Sequence, residues 1–262
     1  MDIFDAHTHL DAMAQRAGLE PSAEFVAEVM SAARLVGVIR AITVADTMQS
    51  SRWCVAAANE HPDVYAAVAI HPTEIEGVTE ADYGELERLA ADPAVVAVGE
   101  SGLDYYWQPT QAAAQQEHFR RHIELAKRVG KPLMIHDREA HADVLRILRE
   151  EGPPERVVFH AFSGDAGMAA QCAQAGYVMS FAGVVTFGNA PALREAAKVA
   201  PIDQVLVETD APFLTPHPHR GRPNAPHLLP LTVRGLAAAR GDDVDELCAA
   251  IARTGQRLFG PI

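Results

Sequence analysis

The 262-residue chain has little of what marks most specialised protein classes. Its three cysteines, Cys54, Cys172 and Cys248, are far apart with no paired spacing, which argues against a disulfide framework or thiolate metal site and for buried thiols. No stretch approaches the roughly 20 apolar residues of a membrane helix, and Met1-Asp2-Ile3-Phe4 lacks a basic region followed by an apolar one. The expected location is the cytoplasm, with no membrane partner. Low-complexity tracts are missing too, and hydrophobic residues at 48% with charged residues at 22% fit an ordinary globular enzyme. Positive charge is scarce: 22 Lys and Arg against 35 Asp and Glu leave a net charge of −13, the wrong sign for wrapping duplex DNA on a basic face. An enzyme that meets only a nucleic-acid end escapes this exclusion, since two divalent cations would bring about four positive charges to the phosphate.

What the chain does have is eight strand-length apolar runs: Ile3–His9, Ile39–Asp46, Tyr65–His71, Val95–Glu100, Pro132–His136, Arg156–His160, Tyr177–Phe181 and Gln204–Asp210. Between them lie segments of helical periodicity, clearest in Ala112–Val129, where Phe119, Ile123, Ala126 and Val129 recur every three or four residues before Gly130. Repeated strand and helix call for parallel strands with right-handed crossovers, and eight repeats predict a closed (β/α)8 TIM barrel, one domain over residues 1–262. An open dinucleotide-binding sheet would carry a Gly-rich loop after its first strand; here that position reads Ala6-His7-Thr8-His9-Leu10-Asp11. The proline-rich segment Thr215–Pro226 follows the eighth strand and is expected to overhang the barrel mouth.

Ligand-type side chains gather at the ends of these runs: His7 and His9, Glu100, His136, His160 and Asp210. One such residue has an ordinary explanation as a structural histidine or a helix cap. Six at the same end of successive strands point to a metal centre at the C-terminal face of the barrel. His7 and His9 stand at i and i+2 and project to one side, and in a closed barrel strand eight adjoins strand one, so Asp210 can share an ion with them. Strands five and six, ending at His136 and His160, are neighbours and can hold a second ion, with Glu100 bridging. Mixed nitrogen and oxygen ligation fits Zn, Mn, Fe or Co, while Mg prefers more oxygen, so the identity of two divalent metal ions stays open.

Further segments carry a family likeness: Phe4–Asp11, Ala69-Ile70-His71-Pro72, Gly99–Tyr106, Gln115-Gln116-Glu117-His118-Phe119, Lys131–His136, Val158–Gly164 and Val207–Leu214. Through them the chain resembles the TatD family of metal-dependent hydrolases and deoxyribonucleases, in the amidohydrolase-like group, along essentially its whole length. That resemblance implies a two-metal barrel using the same six ligands. Two departures stand out: Gly255 and Gln256 replace a usual Asn ahead of Leu258-Phe259, and Ala225 stands where an acidic residue is common.

The implied chemistry is hydrolysis by water activated between two cations, with Glu100 as the bridge and Asp210 accepting the proton. His71 and Arg138 are candidates to bind the substrate's phosphate or carboxylate; their ordinary alternatives are a His71-Pro72 turn and a surface pair of Arg138 with Asp137 or Glu139. Tyr105, Tyr106 and Trp107 offer stacking surfaces for bases or a simple cover for the barrel, and Asp104 receives no role. The resemblance makes a DNA end or single-stranded DNA, cut in the 3′-to-5′ direction, the leading substrate. A small ester, lactone, amide or phosphoester is the alternative, and a metal-binding scaffold without turnover is the remaining class. The sequence does not address oligomeric state.

Overall fold

Runs rich in Val, Ile and Ala can be buried on both faces, and here they become parallel strands. The computed structural model describes residues 2–260. Its strands are β1 (Ile3–Thr8), β2 (Val38–Val44), β3 (Val64–Val68), β4 (Val95–Asp104), β5 (Leu133–Arg138), β6 (Val157–Phe159), β7 (Val178–Phe181) and β8 (Val205–Val207). Helices α1 (Leu10–Arg16) and α2 (Ala23–Arg34) follow β1; α3 (Met48–Glu60), α4 (Glu80–Ala90), α5 (Ala112–Val129), α6 (His141–Glu151), α7 (Ala166–Ala175) and α8 (Pro191–Val199) follow β2 to β7 in turn, and α9 (Leu229–Arg240) and α10 (Val244–Phe259) close the chain. Side-chain caps set several starts: Ser22 accepts from Phe25 N, Asp165 from Met168 N, and Thr47 and Thr79 each form a reciprocal capping box. Gly130, left-handed at φ 67°, ends α5, whose Phe119, Ile123 and Ala126 are buried as the periodicity requires.

Neighbouring strands pair in the order β1 to β8, all parallel, giving the (β/α)8 TIM barrel. The seam between β8 and β1 closes at the mouth: Thr8 bridges Ala211, His9 N donates to Ala211 O at 2.8 Å, and Asp210 N donates to His7 O at 2.9 Å. Buried Asp5 reinforces it by accepting from Thr209 N at 2.8 Å and Thr209 Oγ1 at 2.5 Å. Burial pushes the Asp5 carboxyl up to about 7 against the Thr209 bonds that lower it.

Three local differences from the sequence reading have physical causes. Helix α1 is short and follows two histidines, too brief for its period to register. Strand β4 runs four residues past Glu100, because pairing with β5 continues through Asp104↔Arg138. Strand β8 stops at Val207, so Asp210 lies on the turn beyond it, with φ 54°. The departure at Gly255 also finds its reason: the ring of Phe4 occupies the space where a Cβ would stand. All three cysteines are buried and free, as expected. No helix among the described residues is long and apolar enough to cross a membrane.

Candidate metal centre

The strand that carries the central carboxylate is pressed against its neighbour by two glycines. A Cβ on Gly99 would stand 2.5 Å from Met134 Cβ, and one on Gly102 would fall on the carbonyl oxygen of His136. Gly102 also adopts φ 148°, which L side chains rarely accept. Without them β4 would stand off β5, and Glu100 would not reach His136.

Glu100, almost fully buried, divides its two oxygens. Oε2 faces His7 Nε2 at 3.2 Å and His9 Nε2 at 3.6 Å; His7 Nε2 and His9 Nε2 are 3.1 Å apart, and Asp210 Oδ1 lies 3.7 Å and 3.4 Å from them. A tetrahedral cation with bonds of about 2.0–2.1 Å sets neighbouring donors roughly 3.4 Å apart. These separations, 3.1 to 3.7 Å, bracket that edge, so the group is able to hold a divalent cation. Oε1 faces the other way, 2.5 Å from His136 Nδ1, 2.8 Å from His160 Nε2 and 3.5 Å from His71 Nε2. The His7 and His160 rings stack at 3.9 Å and join the two groups.

Each imidazole turns one nitrogen inward because the other is occupied. His9 Nδ1 bonds Val44 O at 2.9 Å, His160 Nδ1 pairs with Glu208 Oε1 at 3.1 Å, His136 Nε2 pairs with Asp104 Oδ2 at 3.0 Å, and His7 Nδ1 sits 3.2 Å from Met134 Sδ. Such outer partners fix ring orientation and raise donor strength in metal sites. Glu208 was not singled out in the sequence and Asp104 was given no role, though a signal existed for each. Glu208 is an acid inside an apolar run, two residues before Asp210, and Asp104 closes the glycine-flanked motif that carries Glu100.

The field among these groups is uneven: burial and the neighbouring His160 lower His7, against Glu100, which raises it. Burial alone would lower His9, but Asp46, Asp210 and Glu100 outweigh it and push the imidazole up to about 10. Burial likewise opposes His160, yet Glu100 and Glu208 hold it well above the histidine range. Burial would raise Glu100, but His160, His7 and His136 keep it well below the carboxylate range.

Backbone strain collects here as well. Of the positive-φ non-glycine residues among those described, Asp210 belongs to the donor set, Ala161 (φ 38°) follows His160, and Glu139 (φ 57°) follows Arg138. Ala161 N is held by Glu208 Oε1 at 2.7 Å.

The structure brings all six expected residues together and adds His71, which both shapes the turn, its Nδ1 2.7 Å from Thr73 Oγ1 and its O accepting from Glu74 N at 2.9 Å, and turns Nε2 toward Glu100. Its approach is held by His122 of α5, which the sequence reading missed: Nε2 accepts from Ile70 N at 3.1 Å while Nδ1 donates to His118 O at 2.7 Å. Arg138 pairs with neither Asp137 nor Glu139. Asp137 is engaged by His141 at 2.8 Å, and the Arg138 guanidinium lies over Tyr106 at 4.3 Å and Trp107 at 5.4 Å. The proline-rich segment folds back on the site through buried Asn224, whose Nδ2 donates to Thr209 O and Phe213 O, both at 2.7 Å.

Comparison with known proteins agrees with this geometry. The family model for TatD related DNase matches residues 4–260. A Mycobacterium tuberculosis protein named uncharacterized metal-dependent hydrolase TatD is 48% identical, with 98% of each chain covered. The Bacillus subtilis uncharacterized metal-dependent hydrolase YabD is 37% identical, again over 98% of both. Among solved structures, YJJV, a TatD homologue from Escherichia coli, superposes with a TM-score of 0.90 at 28% identity, covering 99% of this chain and 98% of that one. With its donors gathered at the barrel mouth and its sequence matched end to end, the chain belongs to the TatD family of metal-dependent hydrolases.

Proposed function

We propose that the protein is a phosphodiesterase that trims DNA from a 3′ end or in single-stranded form, using two divalent cations. His7, His9 and Asp210 would hold one, His136 and His160 the other, and Glu100 both. The observation that carries this reading is the split of the Glu100 oxygens between two groups of imidazoles, the arrangement a bridging carboxylate requires. The nuclease substrate draws support from the description of the matching family model, TatD related DNase.

When bound, such cations lower the pKa of water toward neutrality and polarise the oxygens of the group under attack. Asp210 turns Oδ1 toward His7 and His9, leaving Oδ2 to take the proton of the attacking water and return it to the leaving oxygen. His71, beside the second group, and Arg138, two residues beyond His136 at the end of β5, would be hydrogen-bond donors for the substrate's free phosphate oxygens. Glu208 and Asp104 keep His160 and His136 aimed inward throughout.

A small ester, lactone, amide or phosphoester is the second reading, which the net charge of −13 suits at least as well. Incubating metal-replete protein with end-labelled single- and double-stranded DNA separates them, with His136→Ala and Asp210→Ala as controls. The nuclease reading expects progressive shortening that both substitutions abolish. Intact DNA alongside hydrolysis of small esters or lactones would overturn it.

A further inference from the structure

The loop after Asp104 is held by more bonds than a cover needs. Asp104 Oδ1 accepts from Tyr106 N at 3.0 Å and Trp107 N at 2.7 Å. Buried Gln115 takes the Asp104 N–H at 2.7 Å and donates to Asp104 O at 2.9 Å and Gln108 O at 3.1 Å. Gln116 and Asp143 both grip the Tyr105 hydroxyl, at 2.6 and 2.9 Å, and Tyr105 N donates to Arg138 O at 3.0 Å. This accounts for the Gln115-Gln116 pair, which the metal centre does not use.

What the clamped turn presents is two aromatic rings left in water. Tyr106 is 55% exposed and Trp107 63%, in edge-to-face contact at 4.9 Å. Arg138, exposed and two residues beyond His136 on β5, lies over both rings and joins no ion pair among the described residues. The same Asp104 carboxylate that pins the two aromatic N–H groups bonds His136 Nε2 through its other oxygen. One side chain therefore fixes the distance from the aromatic turn to the donor group.

Resting on the phosphodiesterase reading, we propose that Trp107 and Tyr106, with Arg138, form a stacking subsite for a nucleobase next to the scissile phosphodiester. A base laid on the exposed indole is held without regard to sequence, since every base has a π face. Arg138, with its guanidinium 4.3 Å from the Tyr106 ring centre and 5.4 Å from that of Trp107, presents its N–H groups to the adjoining phosphate. The rings arrive pre-ordered, so little conformational freedom is lost on binding.

The test uses the full-length metal-replete protein with a single-stranded oligothymidylate, the same oligonucleotide abasic at its two 3′-terminal positions, and a slowly cleaved phosphorothioate version of each. The chain holds two tryptophans, and Trp53 is half-buried with its indole N–H on Pro21 O, so Trp107→Phe supplies the background emission. Base-dependent quenching of the wild-type protein by the phosphorothioate, lost in the abasic form and in Trp107→Phe, is expected. In turnover, Trp107→Ala raises KM on the natural oligonucleotide roughly ten- to a hundred-fold with kcat within about twofold, while Trp107→Phe restores it. On the abasic substrate, wild type and Trp107→Ala coincide.

Unchanged KM in Trp107→Ala, or a loss equally large on the abasic substrate, would overturn the subsite. Cleavage without base-dependent quenching leaves the phosphodiesterase standing and removes the platform. Quenching without cleavage does the reverse.

Discussion

The two ends of the barrel use their basic side chains differently. At the end where strands begin, cations are spent on backbone carbonyls. Arg156 donates to Leu258 O at 2.5 Å and Gly130 O at 2.6 Å, Lys131 to Ala90 O at 2.5 Å and Asp92 O at 2.7 Å, and Arg240 to Ala200 O at 2.7 Å; Arg257 reaches Asp203 O. These are the last carbonyls of helices and the loops that enter strands, acceptors no intrahelical N–H can satisfy. At the mouth, Arg138 rests on Tyr106 and Trp107, and Arg220 on Phe187 at 4.3 Å. The lower end uses charge to close the fold; the mouth keeps charge available beside a cage of donors, as barrel enzymes separate stability from chemistry.

The largest effect that would break this contrast lies at Glu100. Glu100→Gln removes the charge that faces both imidazole groups, and kcat/KM should fall roughly a thousand-fold or more. Metal bound per chain, counted by elemental analysis after gel filtration, should fall with it. A variant that retained its metal and came within tenfold of wild-type turnover would show that the mouth is not organised around this carboxylate.

His122 blurs the contrast usefully, because it is a stability device at the mouth. Its Nε2 accepts from Ile70 N, so the folded state needs it neutral there, and burial lowers it to about 4 from the ordinary 6.5. With the folded value below the unfolded one, its contribution is fully present above pH 6.5 and is lost as pH falls toward 4, by about 3 kcal/mol across that window. Urea unfolding at a series of pH values reads this directly. His122→Phe, less stable at neutral pH, should show a flatter decline between pH 6.5 and 4 than wild type, and parallel curves would contradict the assignment.

A smaller effect sharpens the role of the carboxylates behind the imidazoles. Glu208→Gln preserves shape but removes the charge opposite His160 Nδ1, and affinity for the metal should drop roughly tenfold in chelator competition. If affinity is unchanged, Glu208 serves only to hold the strained Ala161 turn through its N–H.

Much of this was legible in the chain, and what was missed follows a rule. Runs and periods reveal strands and helices because burial imposes them, and His7, His9, Glu100, His136, His160 and Asp210 announced themselves by standing where apolar runs end. The split of Glu100 between two groups follows from barrel adjacency, which the eightfold repeat already implied. Residues acting through a bond to another residue stayed hidden. Glu208, His122 and Asn224 were assigned no role, because their partners, His160, Ile70 and Thr209, lie 48, 52 and 15 positions away. Arg138 shows the limit from the other side: its neighbours in sequence offered two carboxylates, and the fold gave it two aromatic rings.

The smallest expected effect tests the closed end. Arg156→Ala unpairs Leu258 O and Gly130 O, but the side chain is half-exposed and water can replace much of what is lost. The cost should be about 1 kcal/mol, a fall in Tm of roughly 2–4 °C. Because the lower end holds the fold and not the reacting groups, kcat/KM at 25 °C should stay within about twofold of wild type, since no transition-state contact is removed. Were turnover to fall with Tm barely moved, the clamp at the foot of β6 would be transmitting its position to His160 at the other end of a three-residue strand, and the two ends of the barrel would not be separate in function.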